Sequence, residues 1–129
     1  MANEILVVDD NSDIRVLIAG ILKDFGLNVR EAANFDQAMS EINKKLPDAA
    51  IVDVKLDKGD NDGIELLTHI KSKDDDVPVI MISGHANVQM AVDSLKLGAF
   101  EFLQKPFSSE RLLNFVKRAL ENINLKKDK

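Results

Sequence analysis

Residues 4–13 read EILVVDDNSD, an apolar run that ends directly in two neighbouring acids. Successive apolar residues bounded by polar turn formers predict a short strand that is buried on both faces of a sheet. The carboxylates of Asp9 and Asp10 repel each other, so a fold that keeps them together needs a proton or a cation nearby. The pair is therefore either a solvated turn or half of a metal site.

The composition limits the class of protein. A chain of 129 residues suits one compact domain with its own core. The net charge of −5 at pH 7 argues against direct nucleic-acid binding, which depends on basic patches. The absence of cysteine excludes disulfides and thiolate metal sites. Because no apolar stretch is long enough to span a membrane and no signal-peptide pattern opens the chain, we expect a cytoplasmic domain without membrane contact.

Two hydrophobic periodicities alternate along the chain. Short apolar or alternating runs predict strands at residues 5–8, 28–32, 49–54, 77–82 and 99–103. Each run is followed by apolar residues at helical spacing, for example Val88, Ala91, Val92 and Leu95 after the fourth. Asn34 is expected to begin the second helix, and Ser108 or Ser109 to cap the fifth.

Five strand–helix units in succession predict a single α/β domain with a parallel sheet covered by helices on both faces. The first, third and fourth runs are apolar throughout, so they belong inside the sheet, whereas the second and fifth contain charged residues and suit its edges. These positions match a flavodoxin-like, doubly wound (βα)5 sheet with strand order 2-1-3-4-5. In such sheets, ligands bind beyond the carboxyl ends of the strands.

The residues at those strand ends are the candidates for a site. They are Asp9 and Asp10 after strand 1, Asp53 at the end of strand 3, Ser83 at the end of strand 4 and Lys105 after strand 5. Three ionised carboxylates at one rim need a compensating cation, and oxygen ligands suit Mg²⁺. A hydroxyl and an ammonium group beside a metal and a carboxylate can hold a phosphoryl group. We therefore interpret the acidic pair as half of an Mg²⁺ site.

This set of motifs resembles the receiver domain of a two-component response regulator over essentially the whole chain. The matching motifs are Asp9-Asp10, Asp53, Ser83-Gly84 and Lys105-Pro106-Phe107. The stretches DIRVLIAGIL, VIMISGHANVQMAV and GAFEFLQKPF are most similar to the NtrX-like branch of the NtrC family of transcriptional regulators. We assign residues 1–122 to the receiver domain and 123–129 to the start of a linker or C-terminal tail.

The resemblance implies a phosphorylation-dependent switch rather than an enzyme, with only self-phosphorylation and autodephosphorylation. A sensor histidine kinase would transfer a phosphoryl group to Asp53. Asp10, Asp53 and the backbone carbonyl of Lys55 would ligate Mg²⁺, while Asp9 would act mainly through water. Lys105 would pair with a phosphoryl oxygen, and the family commonly has a cis peptide bond before the following proline.

The resemblance also implies how the signal leaves the site. Ser83 would move toward the phosphoryl group, and Phe102, at the family's switch-aromatic position, would turn inward behind it. These movements would reshape the surface of helix 4, strand 5 and helix 5. We expect that surface to form a homodimer on phosphorylation and to control transcription by a longer parent protein.

Several alternatives stay open. A single-domain regulator or a phosphorelay intermediate would use the same residues, and a pseudo-receiver scaffold would normally lack part of the acid set. A Mg²⁺-dependent aspartyl phosphatase of the haloacid-dehalogenase type needs a second Asp two positions after the nucleophile, where Lys55 stands. We interpret His69 as an ordinary surface residue and His85 as a residue at the mouth of the site that influences phosphoryl lifetime.

One segment departs from the family pattern. KLDKGDNDG, residues 55–63, is longer than the usual loop between strand 3 and helix 3 and lacks its proline. We interpret Asp57, Asp60 and Asp62 as acids of a solvated loop, and the alternative is that they perturb the metal affinity.

Overall fold

Strands and helices alternate along the chain in the computed structural model, which describes residues 3–57, 59, 61–84 and 88–127. The strands are β1 Glu4–Val8, β2 Asn28–Ala32, β3 Ala49–Asp53, β4 Val79–Ser83 and β5 Glu101–Gln104. The helices are α1 Ser12–Asp24, α2 Phe35–Lys44, α3 Asp62–Lys73, α4 Val88–Lys96 and α5 Ser109–Lys127. The predicted alternation is confirmed.

All neighbouring strands pair in parallel, in the order β2-β1-β3-β4-β5. Val8 pairs with Val52, and the next residue of β3, Asp53, pairs with Ile82 of β4. The carboxyl ends of β1, β3 and β4 therefore lie level at one rim of the sheet. The predicted doubly wound order is confirmed, with the two partly polar strands at the edges.

The core lies on both faces of the sheet. On one face, the even-numbered residues of β1 and β3 pack with α2 and α3; this cluster includes Leu6, Val8, Val52, Ile42, Leu66 and Ile70. On the other face, α1 and α5 cover the odd-numbered residues; this cluster includes Ile5, Val7, Ile51, Ile18, Leu22 and Leu112. Each buried aliphatic side chain contributes about 1.5–3 kcal/mol, so the central strands form a rigid base beneath the rim.

The starts of α2 and α5 follow the predictions, and a glycine follows the end of α1. The Asn34 side chain accepts the N–H of Gln37 at 2.9 Å at the start of α2, and the Gln37 side chain in turn accepts the N–H of Ala33 at 2.8 Å. Ser108, rather than its neighbour, caps α5, since its Oγ accepts the N–H of Arg111 at 3.1 Å. Gly26, with φ of 90°, follows the end of α1.

Helix α4 contradicts the pattern-based expectation for its apolar face. Val88, Val92 and Leu95 are 81%, 38% and 46% exposed, and the buried residue of this helix is Ser94. α4 packs mainly against β5, an edge strand of the sheet. Because an edge offers a narrow surface, the helix covers it with one narrow face and leaves its apolar stripe in solvent.

The predicted tail begins inside a helix. α5 runs through Lys127, so the described residues after 122 continue the last helix. The boundary between domain and linker stays a prediction. Within the described ranges, no helix has the length and apolar content that a membrane crossing requires.

Candidate functional site

The rim formed by the carboxyl ends of β1, β3 and β4 brings the predicted site residues together. A cavity of about 470 Å³ opens there, lined by Asp10, Asn11, Asp53, Lys55, Ser83, Gly84, Met90 and Lys105. Carboxylate oxygens of Asp9, Asp10 and Asp53 lie within 4.8 Å of one another. Acids that are far apart in the sequence therefore form one cluster, as the strand order predicts.

Asp9 is the most constrained member of this cluster. Its side chain is fully buried, and its Oδ1 accepts the N–H of Asn11 at 2.9 Å. Its own N–H donates to the carbonyl of Ala32 at 3.2 Å, and its carbonyl accepts a hydrogen bond from Arg15 Nη1 at 2.9 Å. Its Oδ2 lies 2.9 Å from Lys105 Nζ. Asp9 is thus held at both its backbone and its side chain.

Asp10, unlike Asp9, is held by no side-chain contact within the described residues. It is exposed on the wall of the cavity. Its carboxylate forms no ion pair or hydrogen bond with any residue that the structure describes. One acid of the adjacent pair is therefore held in place while the other is open to a ligand.

Asp53 ends β3 and points its two oxygens at different partners. Oδ1 accepts the N–H of Lys55 at 3.2 Å, and Oδ2 lies 3.0 Å from Lys105 Nζ. Burial raises the pKa of Asp53 to about 6 and the charge of Asp9 adds to this effect, while the contacts with Lys105 and the Lys55 N–H oppose it. At neutral pH the carboxylate is mostly ionised, as a nucleophile must be.

Lys105 supplies the positive charge of the site. Its Nζ bridges the carboxylates of Asp9 and Asp53 at 2.9 and 3.0 Å, and its side chain is largely buried. Burial disfavours the ammonium ion, but the two carboxylates outweigh it, so the net effect raises the pKa of Lys105. Its N–H donates to the carbonyl of Ser83 at 2.8 Å, and the expected cis peptide bond to Pro106 is confirmed.

The two predicted switch residues lie on neighbouring strands. Ser83 is buried at the end of β4 and lines the site cavity. Phe102 is half-buried on β5, where it packs against the core and lines a second cavity of about 660 Å³ between α4 and α5. Both residues lie on the predicted strands, and their roles as switch residues and their movements stay predictions.

The long loop after β3 is anchored rather than freely solvated. Leu56 is buried in the core, and Asp57 Oδ1 accepts the N–H of Phe35 at the start of α2, at 3.0 Å. Asp62, expected in a solvated loop, is buried as the first residue of α3 and accepts the N–H of Gly59 at 3.0 Å. The prediction is wrong for Asp62, because the close packing of Gly63 against the end of β3 buries the first turn of α3. Asp57 is exposed, and Asp60 lies outside the described residues.

Gly63 explains how α3 approaches the site so closely. A Cβ at this position would lie 2.6 Å from Val54 Cα and would also overlap the carbonyl oxygen of Asp53. The Gly63 N–H donates to the carbonyl of Val54 at 2.8 Å. Only glycine permits this contact between the start of α3 and the end of β3.

His69 takes no part in the described site. His69 Nε2 lies 2.9 Å from Asn43 Oδ1 on the surface between α3 and α2, as expected for an ordinary surface residue. His85 lies outside the described residues. Arg15, which donates a hydrogen bond to the carbonyl of Asp9, was not predicted as a site residue. Its position in the first helix, five residues after Asp10, was the feature of the sequence that could have indicated it.

Comparison with known proteins agrees with the fold. The family model of the response regulator receiver domain matches residues 5–117. This chain belongs to that family. NtrX, the nitrogen assimilation regulatory protein of Azorhizobium caulinodans, is 44% identical over 128 residues, which is 99% of this chain and 28% of NtrX. The chain therefore spans a little over a quarter of that relative.

Solved structures place the domain in the same branch. The receiver domain of NtrX from Brucella abortus has a TM-score of 0.84 at 45% identity, and the match covers 91% of this chain and 98% of that one. The beryllofluoride-activated NtrC4 receiver domain dimer has a TM-score of 0.86 at 37% identity, covering 93% of this chain and 98% of that one. The domain is a receiver of the NtrX-like branch.

Proposed function

We propose that this domain is a switch that accepts a phosphoryl group on Asp53 from the phosphohistidine of a sensor histidine kinase in the cytoplasm. The observation that carries the proposal is the single cluster of Asp9, Asp10, Asp53 and Lys105 at one rim of the sheet. It combines a nucleophilic carboxylate, acids for a cation and a cation for the incoming phosphoryl oxygens. The domain acts on itself and turns over no separate substrate.

The donor set fits Mg²⁺. The carboxylate of Asp10 has no partner among the described residues, and Asp9 Oδ2 is buried without a hydrogen bond of good geometry. Lys105 alone neutralises less charge than the three acids carry. We assign Asp10, Asp53 and the backbone carbonyl of Lys55 to direct ligation and Asp9 to contact through water. When bound, Mg²⁺ supplies positive charge that offsets the carboxylates and the phosphoryl oxygens.

Asp53 is the nucleophile of the transfer. One carboxylate oxygen forms a bond to phosphorus while the bond from phosphorus to the kinase imidazole nitrogen breaks, and that bonding pair stays on the imidazole. The Lys105 ammonium, 3.0 Å from Asp53 Oδ2, is placed to pass its hydrogen bond to a phosphoryl oxygen. Ser83 would donate its hydroxyl to another oxygen once the group is attached.

The output surface consists of α4, β5 and α5. The exposed stripe of Val88, Val92 and Leu95 lies on this side of the molecule, and Phe102 lines the adjoining cavity. We assign this surface to a homodimer that forms on phosphorylation, since exposed apolar side chains gain most from being covered by a partner. The beryllofluoride-activated NtrC4 receiver domain is a dimer, which supports a homodimer as the activated state. In a longer parent protein, the dimer would control transcription.

Phosphorylation with a small donor tests the central proposal. With acetyl phosphate and Mg²⁺, the wild-type domain should incorporate one acid- and base-labile phosphoryl group, whereas EDTA should prevent incorporation. Asp53→Asn should incorporate none. Labile phosphate on this variant at wild-type stoichiometry would refute Asp53 as the acceptor, and none on the wild type would favour a scaffold that works unphosphorylated.

Sedimentation over a concentration series tests the dimer. Beryllofluoride with Mg²⁺ should shift the wild-type domain from monomer toward dimer. Leu95→Glu should suppress the shift because it puts a charge in the apolar stripe, while Lys44→Glu on α2 should preserve it. Equal association in both states would place the output on another surface.

A further inference from the structure

A guanidinium outside the cavity holds the turn that carries both acids of the pair. Arg15 lies in α1 and is mostly buried, with its side chain 17% exposed. Its Nη1 donates to the carbonyl of Asp9 at 2.9 Å, and its Nε donates to Glu31 Oε1 of β2 at 3.1 Å. Arg15 is not among the residues that line the cavity. Arg15 therefore contacts the backbone of the site and not its cavity.

The bond to the Asp9 carbonyl affects Asp10 through the peptide unit. The carbonyl oxygen of Asp9 and the N–H of Asp10 belong to the same planar group, so fixing the oxygen fixes the direction in which the chain enters Asp10. The Asp10 carboxylate has no partner of its own among the described residues. Its position therefore depends on how firmly the backbone before it is held.

The geometry of the contact requires arginine. Arg15 donates from Nε to one partner and from Nη1 to another, and a rigid planar guanidinium can satisfy both at once. A lysine ammonium is a point charge on a flexible stem and lacks this geometry. Glu31 sets the orientation of the guanidinium and balances its charge.

We propose that Arg15 is a positioning residue, oriented by Glu31, that holds Asp10 ready to ligate a divalent cation. The inference rests on the Mg²⁺ site proposed above. The competing explanation is that Arg15 acts only through its charge. Removing a cation near the site would then strengthen Mg²⁺ binding, whereas losing a positioning residue would weaken it. The two explanations predict changes of opposite sign.

The test is Mg²⁺ titration of the domain by calorimetry, since the chain has no Trp or Tyr to report by fluorescence. Arg15→Gln should raise the Mg²⁺ dissociation constant by about tenfold, the effect expected when an outer partner of a metal ligand is lost. Arg15→Lys should show most of this loss despite its retained charge. Arg15→Gln combined with Glu31→Gln keeps the net charge of the wild type and should still bind weakly. Glu31→Gln alone should cause a smaller loss.

Two further measurements separate positioning from a general structural effect. In EDTA, the amide resonance of Asp10 should shift in Arg15→Gln, while thermal unfolding stays cooperative. The phosphorylation rate of Arg15→Gln with acetyl phosphate should approach that of the wild type once Mg²⁺ is saturating.

The outcomes are distinguishable. An unchanged or lower dissociation constant in Arg15→Gln, with normal binding by the wild type, would overturn the positioning role alone. Should Arg15→Gln fail to fold, Arg15→Lys decides, and wild-type affinity in that variant would overturn the inference. If the wild type binds no Mg²⁺, the proposed site fails and this inference fails with it.

Discussion

The rim at the ends of β1 and β3 and the outer face of α4 are built in opposite ways. At the rim, buried polar groups are tied to one another: Lys105 bridges Asp9 and Asp53 within 3.0 Å. In α4, the buried residue is Ser94, whose hydroxyl has no partner among the described residues, and the apolar stripe faces solvent. The residues of the rim are thus held rigidly, while α4, which belongs to the output surface that we propose, is held weakly.

The proposed function gives a physical reason for this contrast. A site that transfers a phosphoryl group gains from groups that are already oriented, since no reorganisation is needed as charge develops. An element that must change its packing gains from few buried contacts, because its local opening then requires little free energy. Phe102 stands between the two regions, with one side against the core and the other at the cavity beside α4.

Gly63→Ala should break the rigid region most severely. The new methyl group would lie 2.6 Å from Val54 Cα, and the rigid core beneath leaves the backbone little room to move. We expect a loss of about 3 kcal/mol or more in the free energy of unfolding. Chemical denaturation followed by circular dichroism measures it. Gly20→Ala is the matched control, since a Cβ there meets no atom within 4 Å and should stabilise α1. A loss of less than about 1 kcal/mol in Gly63→Ala would mean that the rim adapts.

Asp53→Asn should stabilise the metal-free domain and abolish phosphorylation. The carboxyl has a pKa of about 6 in the folded domain and 3.8 as a model value, so folding binds protons and its stability falls as the pH rises from about 4 to about 6. Removing this charge should therefore add about 2 kcal/mol at pH 7.5 and almost nothing near pH 3.5. Denaturation in EDTA at both pH values measures the difference. An equal gain at both would contradict burial as the cause.

Ser94→Ala tests how weakly α4 is held. Removing a buried hydroxyl that lacks a partner should raise the stability by about 1 kcal/mol. Ser40→Ala, at an exposed position of α2, carries the same change in helix propensity and serves as the control. If the two variants gain equally, the Ser94 hydroxyl is satisfied in solution and α4 is docked more firmly than we infer.

Asp10→Asn should have the smallest effect on the metal-free domain, because the carboxylate is exposed and well solvated. In EDTA we expect the thermal midpoint to rise by about 1 °C as one repulsive charge disappears. The midpoint gain on adding Mg²⁺, present in the wild type, should be lost in this variant. A full Mg²⁺-dependent gain in Asp10→Asn would exclude Asp10 as a ligand.

Local sequence patterns were enough to predict the fold and much of the site. Uniformly apolar runs indicated the central strands, and parallel strands of one sheet end at a common rim. The sequence was therefore enough to predict that Asp9, Asp53 and Ser83 lie close together. The N-cap at Asn34 was equally local, since it depends on residues only three positions apart.

Other features depend on neighbours that are distant in the sequence. The apolar stripe of α4 is a true helical pattern, yet which face meets the sheet is decided by the narrow edge at β5. The sequence predicted Asp62 as an acid of a solvated loop. In the structure it is buried, because Gly63 permits a close approach of α3 to β3. Hydrophobic periodicity describes a helix alone and does not specify its packing partner.

Hydrophobic periodicity and the geometry of parallel sheets were enough to predict the strand order, the rim, and the acids and lysine that meet there. The folded chain was needed to show that Asp9 is held through its backbone and Oδ1 while Asp10 stays open, and that Arg15, paired with Glu31, contacts the carbonyl of Asp9. The reason is that a hydrogen bond to a backbone carbonyl depends on direction and distance within tenths of an ångström. Residue type and spacing specify neither the direction nor the distance of such a bond.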